Sequence, residues 1–321
     1  MSAPLPLRTK IFATVLQRLA TPVEEATDHA KLRAERVRLG QTLPGRIVFG
    51  APDRRARAEE IEIPLRGRTL RAVVHRPTGV GGKRPVIVNY HGGGWVQGRP
   101  EQSAWLASRV AAGSGATVVS PSYRLSPEHP FPAAVDDTWE ALGWIADRAD
   151  ALGLDVDRMA VMGDSAGGNL AAVAAQRSVN EGGPHLRAQV LIYPAVEMYE
   201  TFASELRMPD EAVLTSKNMS AFAHLYLGDA YGTTDPRASP LRATSFDGLP
   251  PAFILTADHD PLLDNGVHYR EALRRAGVPV RYREYAGTVH GFLSLPGVVP
   301  GAEQAVSDII DFVAARVVVP A

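Results

Sequence analysis

The chain has 321 residues, no cysteine and a formal net charge of −1 at pH 7. The lack of cysteine excludes a disulfide-stabilised scaffold and thiolate chemistry, and the near-zero charge gives no general attraction to nucleic acid or anionic membranes. Hydrophobic residues at 45% and charged residues at 21% are typical of a soluble globular protein. No apolar run reaches the roughly 18 residues of a membrane span, and the cysteine-free composition fits a cytoplasmic protein.

Residues 1–50 predict helices rich in polar residues. Pro22 ends the first helix, and Thr27 or Asp28 begins the second. The apolar run at 11–16 is too short for a secretory signal, because Gln17 and Arg18 interrupt it. An amphipathic first helix is predicted instead, and its apolar face comprises Ile11, Phe12, Leu16 and Leu19.

From residue 61 onward, short apolar runs alternate with helical segments. The predicted strands are 61–65, 69–76, 85–90, 116–121, 159–162, 188–193, 252–257 and 278–285. The first two form a hairpin around Gly67. The predicted helices between and after the strands are 102–112, 132–148, 169–177 and 301–316. This alternation predicts an α/β fold with a mostly parallel central sheet of about eight strands, flanked by helices on both faces.

The segment 197–236 interrupts the alternation between two predicted strands. It is rich in methionine and aromatic residues, and it lies where an insertion would disturb the sheet least. We therefore expect 1–50 and 197–236 to form a helical cap over the carboxyl ends of the strands. The core would then comprise 51–196 and 237–321.

A Gly-X-Ser-X-Gly motif is centred on Ser165, between the strand at 159–162 and the helix at 169–177. In a sharp strand-to-helix turn, glycine at 163 and 167 avoids collisions with neighbouring backbone, and the serine hydroxyl is exposed. The motif alone is weak evidence, since a glycine-rich helix N-terminus or a phosphate-binding turn has a similar composition. A P-loop does not fit, because no Lys-Ser or Lys-Thr follows the glycines.

A second motif, His91-Gly92-Gly93-Gly94-Trp95, follows the buried strand at 85–90. Glycines allow backbone N–H groups to approach a substrate oxygen without side-chain obstruction. With the N–H of Ala166, this loop would stabilise the negative oxygen of a tetrahedral intermediate. We expect His91 and Gly92 to orient the loop. The alternative interpretation of the three glycines is a flexible loop without a catalytic role.

The candidate base and acid follow the last two predicted strands. His290 lies just past the final strand. Asp258, Asp260 and Asp264 compete for the acid, and Asp260 is preferred because Pro261-Leu262 fixes its turn. A metal site at 258–260 is disfavoured, since three consecutive residues of an extended strand cannot all face one ion. Nucleophile, acid and base in this chain order are typical of an α/β-hydrolase.

These motifs, at 91–95, 123–132, 163–170, 260–262 and 290–292, resemble the hormone-sensitive-lipase-like carboxylesterases (bacterial esterase family IV). The chain is similar to the branch with Asp before the nucleophile, here Asp164. The resemblance extends over nearly all of 55–320, although Ser126 stands where the family usually has Ala. It implies a Ser165–His290–Asp260 triad, a helical cap, and an oxyanion hole formed by Gly93, Gly94 and Ala166.

The implied function is a serine carboxylesterase that hydrolyses short- to medium-chain esters through an acyl-enzyme, without a cofactor or metal. We expect a small-molecule ester as partner, no nucleic acid and no stable membrane insertion, and the sequence leaves a homodimer open. An amidase, peptidase or lactonase on the same triad, or a non-catalytic receptor, would have similar motifs. The expected pocket residues are Trp95, Asp164, Phe202, Met208, Phe222, Tyr226 and Phe292.

Overall fold

The computed structural model describes residues 3–19, 23–79 and 81–318. Within these ranges a single sheet contains the strands β1 (Ala56–Leu65), β2 (Arg68–Pro77), β3 (Arg84–Tyr90), β4 (Thr117–Pro121), β5 (Leu154–Asp164), β6 (Leu186–Ile192), β7 (Ala252–His259) and β8 (Val280–Val289). Their spatial order is β1-β2-β4-β3-β5-β6-β7-β8. β2 pairs antiparallel with β1 and β4, and all other neighbours are parallel. The predicted α/β-hydrolase architecture with eight strands is confirmed.

Helices cover both faces of this sheet and extend beyond it. They are α1 (Leu7–Leu19), α2 (His29–Gln41), α3 (Leu43–Phe49), α4 (Ala104–Ser114), α5 (Ala133–Asp147), α6 (Ala166–Asn180), α7 (Ala203–Arg207), α8 (Ser216–Leu227), α9 (Leu263–Arg275) and α10 (Gly301–Val313). Alternate strand residues serve opposite faces: Val86 and Val88 pack with α5 and α6, while Ile87 packs with α4 and α10. This two-sided burial explains why stretches such as 86–88 of β3 and 159–162 of β5 are continuously apolar.

Three strands differ from their predicted bounds in ways that affect the site. β7 ends at His259 rather than at residue 257, directly before Asp260. β5 begins at Leu154 and ends at Asp164, directly before Ser165. β8 continues to Val289, so that His290 follows the strand immediately. The predicted strand ended at residue 285. Gly287 adopts a φ of 67°, and the pairing of β7 with β8 shifts register between Ala257 and His259 to accommodate the irregularity.

The N-terminal helices and the insertion pack against each other. Asp28 caps α2 by accepting the N–H of Lys31, as the sequence suggested. The short turn Val23–Glu25, which precedes α2, packs on α8 of the insertion. α1 is fastened to the core by a hydrogen bond of 2.7 Å from the Thr9 hydroxyl to the carbonyl of Val298. The two segments expected to form the cap are therefore in contact.

The apolar face predicted for α1 is wrong at one position. Phe12 packs on the core, but Ile11 is 57% exposed. Leu7, Ile11 and Val15 form a second stripe at four-residue spacing, and this stripe faces outward. The side chain of Leu19 lies outside the described residues. No helix in the described part of the chain is long and apolar enough to span a bilayer.

Candidate active site

Ser165 occupies a strained turn between β5 and α6. Its φ of 55° and ψ of −118° are rare for a residue with a side chain. A Cβ on Gly163 would overlap the carbonyl of Gly167, and a Cβ on Gly167 would overlap the carbonyl of Tyr90. Glycine is therefore required on both sides of Ser165. The tight turn leaves Ser165 partly exposed at the carboxyl edge of the sheet.

Ser165, His290 and Asp260 form a continuous chain of hydrogen bonds. His290 Nε2 lies 2.9 Å from the Ser165 hydroxyl, and His290 Nδ1 lies 2.7 Å from Asp260 Oδ2. Asp260 is fully buried, and its other oxygen accepts the N–H of Leu262 at 2.8 Å. Since a carboxylate only accepts, it fixes the proton of a neutral His290 on Nδ1. The lone pair on Nε2 is then directed at the serine hydroxyl.

The other two candidate carboxylates are directed elsewhere. Asp258 accepts the backbone N–H of Thr288 at 3.0 Å, and Asp264 accepts that of Ser204 in α7 at 2.7 Å. Of the three, Asp260 alone has its carboxylate against His290. Among the described residues, no three His, Asp or Glu side chains are grouped to hold a metal ion.

The glycine loop after β3 lies beside this chain of hydrogen bonds. Gly93 and Gly94 have φ values of 125° and 60°, which favour glycine. A side chain on Gly93 would collide with the Gln97 carbonyl. Among the hydrogen bonds of the described residues, none uses the N–H groups of Gly93, Gly94 or Ala166. These three N–H groups are therefore available to donate to an oxygen of a ligand.

Buried side chains hold this loop in place. The His91 ring stacks on Tyr123 with centroids 4.3 Å apart, and the Tyr123 hydroxyl donates to the His91 carbonyl at 2.8 Å. His91 Nδ1 lies 2.9 Å from the carbonyl of Gly92. Burial lowers the pKa of His91 to about 4. His91 is therefore neutral at pH 7 and bonds to the loop rather than to Ser165.

Asp164 connects the loop to the nucleophile turn. Its Oδ1 accepts the N–H of Gly92 at 2.9 Å, and a Cβ on Gly92 would collide with the Asp164 side chain. Burial raises the pKa of Asp164 to about 6, although the Gly92 N–H opposes that shift. This residue was expected to line the pocket; the structure instead places it beneath the glycine loop.

The raised pKa of Asp164 predicts a pH-dependent cost to stability. The carboxyl binds its proton more tightly in the folded chain than in the unfolded one, so ionisation destabilises the fold as pH rises from about 4 to about 6. We expect Asp164→Asn, whose oxygen can still accept from Gly92, to be more stable than wild type above pH 6 by up to about 3 kcal/mol. This advantage should vanish near pH 4. Thermal denaturation across that range would measure it, with the exposed Asp229→Asn as control, and an advantage that shrinks with rising pH would contradict the assignment.

Three of the expected pocket residues belong to the insertion, and they differ in whether they lie against the glycine loop. The Phe222 ring of α8 lies directly against Gly94, where any Cβ would strike it. Phe202 stacks on His268 of α9 with centroids 4.4 Å apart, and Met208 is partly exposed just after α7. Of these three residues, Phe222 is the one that lies against the glycine loop.

Three of the expected pocket residues are buried instead. Tyr226 and Phe292 have no exposed surface, and Trp95 has 3%. Trp95 and Tyr226 stack at 4.2 Å, which joins the glycine loop to α8. Phe292 packs against Tyr193 and Tyr285 below the sheet edge. The expectation that Tyr226 and Phe292 line the pocket was wrong, because their large apolar surfaces are used for packing.

The sequence analysis missed two residues that lie next to the site. The ring of Tyr193, which follows β6, lies 4.9 Å from that of His290 and limits its rotation. Tyr193 could have been predicted as a site residue, because it directly follows a central strand at the carboxyl edge of the sheet. Val213, between α7 and α8, approaches Gly291 next to His290. Nothing in the local sequence distinguishes Val213 from other apolar residues of the insertion.

A family model described as the alpha/beta hydrolase fold matches residues 87–294. The chain belongs to this α/β-hydrolase family. It is 43% identical over 223 residues to esterase LipI of Mycobacterium tuberculosis, covering 69% of each chain. It is 42% identical over 247 residues to carboxylesterase NlhH of the same organism, covering 76% of this chain and 75% of that one.

Solved structures agree with these matches. A hyperthermophilic esterase from the archaeon Pyrobaculum calidifontis superposes with a TM-score of 0.89 at 37% identity, covering 97% of this chain and 98% of that one. The predicted resemblance to the hormone-sensitive-lipase-like carboxylesterases is thereby confirmed.

Proposed function

We propose that this α/β-hydrolase is a serine carboxylesterase that hydrolyses short- to medium-chain esters of small molecules, with Ser165 as nucleophile. The hydrogen-bonded chain Asp260–His290–Ser165 beside three unused N–H donors is the observation that carries the proposal. The relatives that are named esterases support the same class of reaction. The cysteine-free composition fits a cytoplasmic site of action.

The geometry supports a two-step acyl transfer. His290 takes the proton of Ser165 as the serine oxygen attacks the ester carbonyl, and the protonated ring then gives that proton to the leaving alcohol. Water, deprotonated by the same ring, attacks the acyl-enzyme and releases the acid. Asp260, fully buried against Nδ1, holds the ring in one tautomer and stabilises its charged form.

The carbonyl oxygen of the substrate would become negative against Gly93, Gly94 and Ala166. Their N–H groups are fixed by the turn and the glycine loop before substrate arrives, so little reorganisation is needed in the transition state. In comparable enzymes, one such donor contributes about 10²- to 10³-fold to turnover. His91 and Asp164 contribute indirectly, because they hold the loop from below.

The cap is the second part of the proposal. Residues 1–50 and 197–236 would roof the carboxyl edge of the sheet, since the turn Val23–Glu25 packs on α8 and α8 carries Phe222 onto the glycine loop. A roof this close to Gly94 limits the length of the acyl chain. We expect best turnover with acyl groups of about four to eight carbons, of a size that an enclosed pocket accommodates.

A substrate panel tests the proposal. p-Nitrophenyl esters of increasing acyl length, lactones and aryl amides would be compared at equal enzyme concentration. Faster turnover of esters than of amides or lactones is the expected result. A preference for amides or lactones would assign one of the alternative acyl-transfer activities. A maximum at long acyl chains with a jump above the solubility limit would indicate a lipase and would contradict the cap assignment.

Phe222→Ala should shift the acyl-length profile. Removing the ring beside Gly94 enlarges the space above the oxyanion donors, so we expect kcat/KM to rise for longer acyl chains relative to short ones. The preference between adjacent chain lengths should change by about 10-fold or more, as one methylene in an apolar pocket allows. Steady-state rates along the ester series would measure this.

Phe202→Ala is the matched control for that prediction. Its ring stacks on His268 rather than on the glycine loop, and the profile should keep its shape. An equal shift in both variants would mean that loosening of the cap, rather than the Phe222 ring, sets acyl length.

A further inference from the structure

Arg33, on the N-terminal helix α2, makes hydrogen bonds to two segments of the core. Its Nε donates to the carbonyl of Val96 at 2.7 Å, and its Nη2 donates to the carbonyl of Ser126 at 2.7 Å. The same guanidinium bonds both oxygens of Glu128, at 3.0 and 2.7 Å. The Arg33 side chain is 22% exposed, and its two bonds to carbonyls are partly buried.

The two carbonyls belong to one hydrogen-bonded junction with the glycine loop. The N–H of Val96 donates to the Gly93 carbonyl at 3.2 Å, and the N–H of Ser126 donates to the Trp95 carbonyl at 2.9 Å. Arg33 is therefore connected to the glycine loop through both Val96 and Ser126. A shift of Val96 would move Gly93 directly, because one hydrogen bond joins them.

The carbonyl contacts are better placed than the ion pair to fix geometry. Glu128 is 46% exposed, and exposed ion pairs contribute little. The Arg33 guanidinium beside Glu128 holds the pKa of that carboxyl below its usual range, so the pair stays charged at neutral pH. Arginine presents several donors in a rigid fork, and that fork spans two carbonyls that a lysine ammonium would not bridge in the same way.

From these contacts, and resting on the function proposed above, we infer that Arg33 is a positioning residue for the oxyanion hole. It fastens α2 of the cap to Val96 and Ser126, and it thereby holds the Gly93–Gly94 loop where the substrate oxygen becomes charged. The N-terminal segment is then part of the machinery that sets turnover as well as a roof over the site.

This role differs measurably from that of a structural or roofing contact. A displaced oxyanion donor weakens transition-state binding, so it lowers kcat and leaves KM nearly unchanged. Loosening of the cap alone would raise KM, most for long acyl chains. Loss of stability alone would lower the melting temperature without changing kcat per folded molecule.

The experiment compares four variants of the full-length protein with wild type. Arg33→Met removes the guanidinium but keeps much of the apolar stem, and Arg33→Lys keeps the charge beside Glu128. Glu128→Gln removes the ion pair and leaves both carbonyl bonds. Arg38→Met is the matched control, since Arg38 is exposed on the same helix and its side chain makes no hydrogen bond or ion pair within the part of the chain that the structure describes.

We expect Arg33→Met to lower kcat on a short p-nitrophenyl ester roughly 10- to 100-fold with KM within about twofold. Inhibition by a trifluoromethyl ketone, which forms an oxyanion on serine, should weaken by a similar factor. Arg33→Lys should show a smaller loss of kcat than Arg33→Met, because it keeps a donor and a positive charge beside Glu128. Glu128→Gln and Arg38→Met should stay within about threefold of wild type.

An unchanged kcat in folded Arg33→Met, or a loss confined to KM, would overturn the inference. So would an equal kcat loss in Glu128→Gln, since the ion pair would then be the active element. If Arg33→Met does not fold, Arg33→Lys decides by the same criteria. Failure of the proposed function is separate: wild-type hydrolysis would then persist in Ser165→Ala, whatever the Arg33 variants show.

Discussion

Ser165→Ala should abolish ester hydrolysis while leaving the fold intact. The hydroxyl belongs to a partly exposed residue, and its hydrogen bond within the described part of the chain is to His290, so its removal changes little of the packing around the turn. In comparable enzymes, loss of the nucleophile costs about 10⁶-fold in turnover. Initial rates on p-nitrophenyl esters would measure the loss, and an unchanged melting temperature would show that the chain still folds.

Covalent labelling provides a second test that Ser165 is the nucleophile. An organophosphonate should add one group to the wild-type chain at Ser165, located by peptide mass spectrometry. Ser220 on α8 is more exposed, but its neighbour His224 bonds to the Ser220 backbone carbonyl at 2.9 Å and not to the hydroxyl, so Ser220→Ala should be labelled and active like wild type. Labelling at another serine, with activity retained in Ser165→Ala, would remove Ser165 from the mechanism.

The sheet and the edge on which the site lies could be predicted from sequence. Parallel strands that are buried on both faces are continuous apolar runs, and β3, β7 and the second half of β5 have that pattern, whereas β8 is a half-exposed edge strand. Chemistry-bearing residues follow each of these strands directly. Because the carboxyl ends of parallel strands meet at one edge, the sequence implied that Ser165, Asp260 and His290 converge. The distances of 2.7 and 2.9 Å between them are contributed by the structure.

The cap was less predictable, because apolar residues there serve several surfaces. On α1, two stripes at helical spacing compete: Phe12 packs on the core, whereas Ile11 belongs to an exposed stripe. Periodicity identifies a helix but does not say which stripe finds a partner. Tyr226 and Phe292 illustrate the same limit in the interior, since an aromatic residue near a site can pack below it as readily as line it.

Arg33 illustrates a different limit. It lies on the same helix as Arg36 and Arg38. Besides Glu128, its acceptors are the backbone carbonyls of Val96 and Ser126, which are more than 60 positions away. Backbone carbonyls have no sequence signature, so no local pattern distinguishes this arginine from its neighbours. Contacts of this kind are determined by the packing of α2 on the core, which the sequence does not reveal.

Asp260→Asn should lower turnover by about 10⁴-fold, the loss seen when the triad acid is neutralised in comparable enzymes. The amide can present an N–H to His290 Nδ1, which favours the tautomer with the proton on Nε2. That ring cannot accept the proton of Ser165. The amide also leaves the imidazolium of the transition state without a buried counter-charge. Steady-state kcat, with folding checked by thermal denaturation, measures the effect.

The neighbouring carboxylates provide matched controls, because they differ from Asp260 in their partners rather than in their chemistry. Asp258→Asn keeps an oxygen that can accept from Thr288, and Asp264→Asn keeps one for Ser204. We expect each to cost less than about 10-fold in kcat, since neither carboxylate contacts the imidazole and their losses would be those of ordinary hydrogen bonds. A larger loss at Asp258 or Asp264 than at Asp260 would reassign the acid. Equal large losses at all three would mean that the loop after β7, rather than the Asp260 carboxylate, sets the position of His290.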